Sequence, residues 1–302
     1  MLDACLGDPD ASRLRDALER RDWRSAGDFL NSVTDPDHRA FYLGICQAAP
    51  GVQEWIDEWV AAEPDVTLPV LVQGTNGIQW AWDARGRARA SHTTARQFRE
   101  FHRRLKIAED SLRDVARRDP DDVDAWSGLV TTARGLELGK TEAWRRFDEV
   151  TSRHPLHVYA HEQMLQGLCA KWYGSDKEMF SFARKAVTKS PEGNPLGHLV
   201  AVAHIEFWSG NGQDNHLSRS EVRAELHAAA NRSVRHADYR AKLGGQVSHN
   251  WFALAFSLAG DHTAAREHFE VIGRSLTPSP WQLFDDPVGM FRKMRATARK
   301  RG

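Results

Sequence analysis

The stretch DPDDVDAWSGLVTTARGLELGKTEAWRRFDEVTSRHPLHVYAHEQMLQGLCAKWYGSDKEMFSFARKAVTKSP, residues 119–191, decides how this chain is read. Three prolines punctuate it, at Asp119-Pro120, His154-Pro155 and Ser190-Pro191, spaced 35 and 36 residues apart. Proline cannot continue a helix, and it steers the residue before it away from the helical region. Two apolar-periodic segments lie between each pair of prolines. In the first interval Ala143, Phe147 and Val150 lead into Pro155; in the second Met179, Ala183 and Ala186 lead into Pro191. A period near three dozen residues marks a helix–turn–helix repeat, which cannot bury its apolar face alone and must stack on neighbours.

Working outward, the same grammar continues in both directions. Residues 10–34 read as a helical hairpin turning at Arg21-Asp22, ended by Asp35-Pro36-Asp37; residues 38–48 give a further helix before Ala49-Pro50-Gly51. Trp55, Ile56, Trp59 and Val60 carry the next. A helix is predicted across Leu68–Trp82, where Gly74 and Gly77 would let a neighbouring helix come close, and a long one over 92–118. The other face of that long helix (Arg96, Arg99, Arg103, Arg104, Lys106) reads as solvated. Towards the C-terminus the spacing predicts helices over 121–138, 140–153, 157–170, 175–189, 195–208, 219–236 and 247–259. Ser175 with Glu178 forms a capping-box signature, and Ser209–Ser218 is a polar loop longer than a tight repeat turn. Trp281–Arg301 is a basic helix suited to capping a stack. The expected organisation is an irregular helical segment over 1–118 and a regular repeat region over 119–302.

Composition narrows the function classes. The 302 residues hold 41 basic and 41 acidic side chains, so the formal charge is zero and the broad positive footprint of a nucleic-acid binder is lacking. No apolar run is long enough to cross a bilayer, and MLDACLGDPD has no secretory pattern. Cys5, Cys46 and Cys169 are scattered and odd in number, which argues against a disulfide framework. The expected location is cytoplasmic. Eleven tryptophans are explained most simply as wedges between helices.

Gly260-Asp261-x3-Ala265-x3-Phe269-x2-Ile272 resembles the second helix of a tetratricopeptide repeat. Asp22-x3-Ala26-x3-Leu30-x2-Val33 and Ala143-x3-Phe147-x2-Val150-x4-Pro155 are similar to it, and Trp126-x2-Leu129 suggests the first-helix pattern, which is otherwise incomplete. Lys171-Trp172-Tyr173-Gly174-Ser175, with Phe182-Ala183-Arg184 and Ala203-His204-Ile205-Glu206, also looks like a group of bacterial helical-repeat proteins without an assigned activity. The resemblance implies an all-α fold, with helix–turn–helix repeats stacked as a right-handed α-solenoid, and a concave groove for a peptide or protein partner.

Three constellations are candidates for that or another role. Trp172, Arg184, His204, Glu206 and Trp208 either face a groove or form an internal polar network that fixes repeat register. Ser248, His249 and Asn250 open a first helix; Asn250 offers a donor and an acceptor to a bound peptide backbone, while Ser248 suits an N-cap. His157 and His161, four apart on one helix face, give a metal-chelating spacing which His204 and Glu206 would complete. No nucleophile elbow or phosphate loop is present, and no cofactor is implied. The basic run Arg292–Arg301 reads as a solvated terminal helix. The sequence therefore points to a non-catalytic interaction module with a protein or peptide partner, compatible with homo-oligomer formation. A helical metal-dependent enzyme or metal binder is the alternative.

Overall fold

A computed structural model of the chain describes residues 4–86, 92–211 and 215–302. Sixteen α-helices and no strand occur among them, and none of these helices is long and apolar enough to cross a membrane. The chain divides into two compact units, Asp8–Gly167 and Leu168–Gly302 with the chain start up to Gly7.

The first unit holds α1 (Pro9–Glu19), α2 (Trp23–Ser32), α3 (Pro36–Ala48), α4 (Ile56–Ala62), α5 (Thr67–Arg85), α6 (Ala95–Arg118), α7 (Val123–Gly135), α8 (Lys140–Arg153) and α9 (Val158–Gly167). The second holds α10 (Asp176–Lys189), α11 (His198–Gly210), α12 (Ser220–Arg232), α13 (Gln246–Leu258), α14 (His262–Ile272), the single turn α15 (Pro278–Trp281) and α16 (Pro287–Arg301). The prolines act as the sequence implies. Asp119, His154 and Ser190 are the C-cap residues of α6, α8 and α10, all with non-helical backbone angles.

Helix starts are set by aspartate. Asp8, Asp22, Asp35, Asp122, Asp261 and Asp286 each accept from a backbone N–H in the first turn of the following helix, worth about 1 kcal/mol apiece. Asp35-Pro36 thus does more than end a hairpin: Asp35 caps α3 and Pro36 takes its first position, where a missing N–H costs nothing. Ser175 caps α10 as expected, its Oγ accepting from Glu178 N at 3.3 Å. Thr94 and Gln97 form a complete capping box on α6. Ser248 does not cap: α13 starts one turn earlier, after Gly245, leaving Ser248 inside the helix, buried, within 3.2 Å of His198 Nδ1. The predicted loop Ser209–Ser218 is partly helix, as α11 runs to Gly210 and residues 216–218 form a 3-10 turn. Residues 212–214 of that loop, like 87–91 of the basic stretch before α6, lie outside the described residues.

Packing follows a regular order inside each unit. In the first, α1 packs on α3, α3 on α5, α5 on α7 and α7 on α9, while each sequential pair α1–α2, α5–α6 and α7–α8 forms a hairpin. In the second, α11 packs on α13 and α13 on α15, with α14 against α13 and α16. The odd-numbered helices at the centre are enclosed on all sides: every residue of α7 from Ser127 to Gly135 is buried, as is every residue of α13 from Ser248 to Phe256. The long helix α6 is amphipathic, with Phe101, Leu105, Ala108, Leu112 and Val115 buried and Arg96, Arg99, Arg103 and Lys106 exposed. Its close approach to α5 requires small residues. A Cβ at Gly74 would stand 2.7 Å from Leu112 Cγ, and one at Gly77 3.0 Å from Ala108 Cβ.

A buried charge pair ties α6, α7 and α8. Arg146, fully buried, donates from Nη2 to Glu109 Oε1 at 2.7 Å and from Nη1 to Glu109 Oε2 at 2.8 Å. It also donates from Nε to Glu142 Oε1 at 2.7 Å and from Nη1 to the Leu129 carbonyl at 2.7 Å. Arg113 and the Thr132 hydroxyl donate to Glu109 as well. Burial pushes the Glu109 carboxyl up, but hydrogen bonds and charge from Arg146 outweigh it and hold the group below its ordinary value. Arg146→Met is expected to destabilise this unit by roughly 3–5 kcal/mol, because it strands a buried carboxylate. Adding Glu109→Met should recover most of the loss, and urea denaturation of the single and double variants measures both.

Candidate functional site

Five of the expected site residues lie in the Leu168–Gly302 unit around α10 and α11. Arg184, exposed on α10, forms a bidentate pair with Glu225 of α12, Nε to Oε1 at 2.6 Å and Nη2 to Oε2 at 2.9 Å. His204 of α11, 2% exposed, sits behind it with Nε2 3.2 Å from Glu225 Oε2 and Nδ1 2.9 Å from His216 Nε2. Phe180 covers this row, its ring 4.9 Å from that of His204 and its face under the Arg184 guanidinium at 5.2 Å. The Arg184 hydrogen bonds, with help from His204, hold the Glu225 carboxyl down at about 2. The result is a carboxylate–imidazole–imidazole chain, open to solvent at Arg184 and closed at His216. Glu206, one step round α11, pairs with Lys171 Nζ at 2.5 Å. Trp172, next to Lys171, is half-buried, and Trp208 is buried. Sequence reasoning found Arg184 and His204 but missed Glu225 and His216. His216 lies in the loop after α11 and Glu225 on α12 beyond it, where no helical spacing connects them to α11.

His249 and Asn250 are buried at the heart of the same unit. Asn250 Nδ2 donates to the Gln246 and Ser275 carbonyls at 2.8 and 3.2 Å, and its Oδ1 accepts from Trp281 Nε1 at 2.7 Å. Its amide therefore clamps backbone, and the backbone is the chain's own. His249 Nδ1 lies 3.0 Å from His268 Nδ1, so one imidazole donates to the other. His268 is stacked on Phe252 and Phe256, and its Nε2 has no hydrogen-bond partner. Tyr239, 6.0 Å from His249, adds a further ring. Nearby, Arg235 lies over Phe256 and within 3.0 Å of His227 Nδ1, and it pairs with Glu267 at 2.8 Å; His227 Nε2 pairs with Asp261 at 2.8 Å.

His157 and His161 belong to the other unit. The His157 Nδ1 accepts from Ala160 N at 3.2 Å, capping α9, and its Nε2 is 3.8 Å from Asp124 Oδ1. His161 Nδ1 meets the His157 carbonyl at 2.8 Å, and its ring stands edge-on to Phe147 at 4.9 Å. Each ring thus spends one nitrogen on its own helix. The adjacent His154 pairs with Asp37 of α3 at 2.7 Å, and Arg39 of α3 pairs with Asp122 at 3.1 Å and with Asp124. These contacts join α3 to α7 and to the end of α8. Among the described residues no group of three His, Cys, Asp or Glu side chains is arranged to hold a metal ion.

Two histidines in α13–α14 make the second unit pH-sensitive. Burial, with a smaller push from Arg235, lowers His249 to about 4, and burial with His249, Arg235 and His227 holds His268 well below 6.5. The folded protein therefore binds fewer protons here than the unfolded chain. Stability from these groups is complete above pH 6.5 and is lost as the pH falls towards 4. The loss is on the order of 3 kcal/mol for His249 alone. Denaturation midpoints measured between pH 7.5 and 4.5 should fall accordingly, and His268→Phe should flatten the slope. No protein-family model matches the chain, and no curated protein matches it.

Proposed function

We propose that this protein is a non-catalytic interaction module of tetratricopeptide type. Its hairpins would stack as a right-handed α-solenoid and its partner would be a peptide or another protein in the cytoplasm. The observation that carries the reading is the order of packing: α1, α3, α5, α7 and α9 succeed one another in the first unit and α11, α13 and α15 in the second, with α1–α2, α5–α6, α7–α8 and α13–α14 closed as hairpins. The Gly260-Asp261 turn supports it: Gly260 takes φ 73° and Asp261 caps α14, as a repeat's internal turn requires. The finer assignment rests on the sequence resemblance.

Among the candidate groove residues, Arg184 is exposed and Trp172 half-buried, the Glu206 side chain is 10% exposed, and His204, Trp208, His249 and Asn250 are buried. Trp172 in the turn before α10, Arg184 and the half-buried Phe180 of α10, and Glu206 and the half-buried Phe207 of α11 make a mixed aromatic and charged set, which is the composition of an interface hot spot. The buried His204 stands behind it, against Phe180 and Glu225. Affinity purification of the tagged protein from its native lysate, read by mass spectrometry, is expected to recover a defined partner. Trp172→Ala and Arg184→Ala should each reduce recovery at least tenfold while the melting temperature holds. Recovery indifferent to both variants, or no specific partner, would contradict the proposal.

A further inference from the structure

The strongest unassigned feature lies in the Asp8–Gly167 unit. A cleft of about 310 Å³ opens between α6, α7 and α8, and its lining includes Arg113, Arg117, Arg145, Arg146, Trp126 and Leu129. Four guanidiniums in one small cleft would repel one another unless anions held them. The anions are present, and two of them lie beneath. Glu109 is 2% exposed and Glu142 27%, while the side chains of Arg113, Arg117 and Arg145 are 52%, 74% and 49% exposed. Solvent at the cleft therefore meets three exposed guanidiniums, with Glu109 and Glu142 on the inner side and the partly exposed Asp114 and Glu149 as further partners of Arg117 and Arg145.

The pairing also fixes the cations without exhausting them. Arg145 grips Glu142 through Nε and Nη2, both at 2.8 Å, with Nη1 3.8 Å from Glu149 Oε1, beyond hydrogen-bond reach. Arg113 hydrogen-bonds through Nε to Glu109, with Nη2 3.9 Å from Glu142 Oε1, and Arg117 through Nη2 to Asp114 at 2.7 Å. Trp126 supplies a flat wall, held by its Nε1 donating to the Pro120 carbonyl at 2.9 Å, with Arg145 5.5 Å from its ring centre. Arg146, wholly satisfied, is a rigid floor. Donors in a planar fork, pre-oriented by carboxylates and left with free N–H groups, match the oxygens of phosphate or carboxylate. The volume lies at the small end of ligand sites.

We propose that this cleft binds a small polyanion bearing two or more phosphate or carboxylate groups, held by Arg113, Arg117 and Arg145 against Trp126. The site is independent of the partner-binding surface on α10 and α11, and either can fail without the other. Calorimetric titration of the full chain at low ionic strength, with inorganic pyrophosphate and separately with citrate, tests it. Saturable one-to-one binding of at least one is expected, and the tighter of the two separates a phosphate from a carboxylate source. In Arg117→Ala/Arg145→Ala, with circular dichroism unchanged, affinity should fall at least tenfold. Arg117→Gln alone, at the most exposed position, should give a partial loss and serves if the double variant misfolds. No saturable binding of either compound, or equal binding by wild type and variants, overturns the proposal.

Discussion

A helix that is apolar on every side has nowhere to stand except among other helices. That constraint governs both units, through α7 in one and α11 and α13 in the other. Fully burying one phenylalanine or leucine side chain is worth about 2–3 kcal/mol. A run such as Trp251–Phe256, with Phe252 and Phe256 wholly buried, commits the surrounding helices to enclose it. Any polar group on such a helix is enclosed too and must find its partner indoors. This is why His204, Ser248, His249 and Asn250 appear in hydrogen-bonded chains rather than at open surface.

Charge is handled by the same economy of space. Arg146 reaches α6 and the α7 backbone at once, so only one register of the three helices leaves it satisfied. A slip of one residue would turn its side chain by about 100° and strand a buried cation at a cost of several kcal/mol. The His204–Glu225–Arg184 row does a related job between α10, α11 and α12, with its charged end kept in water.

Much of this was legible in local spacing. Helix α8 has the bounds that its periodicity predicts, and the prolines after Asp119, His154 and Ser190 stop their helices because a residue before proline is steered out of the helical region. Gly74 and Gly77 do permit a close approach, of α6. The Asp35-Pro36 pair carries two signals at once, since proline both stops one helix and suits the first turn of the next. The side-chain partnerships were not legible. Glu109 finds Arg146 at a separation of 37 residues, and His204 finds Glu225 at 21. No periodic pattern links such positions. Nor does an all-apolar helix reveal which of its faces, if any, stays open, so the reading of Asn250 as a peptide clamp had no marker to correct it.

The aspartate caps and short hairpins settle their own geometry within a few residues, which favours rapid local assembly as a chain lengthens. The pair between Asp37 and His154 works on another scale, joining positions 117 apart. It can close only after the intervening helices have formed and come together. During synthesis, then, the contacts that Asp37 and Arg39 make with His154, Asp122 and Asp124 could form only once α7 and the end of α8 had left the ribosome. The order in which the protein is made is thereby written into where its long-range charges meet.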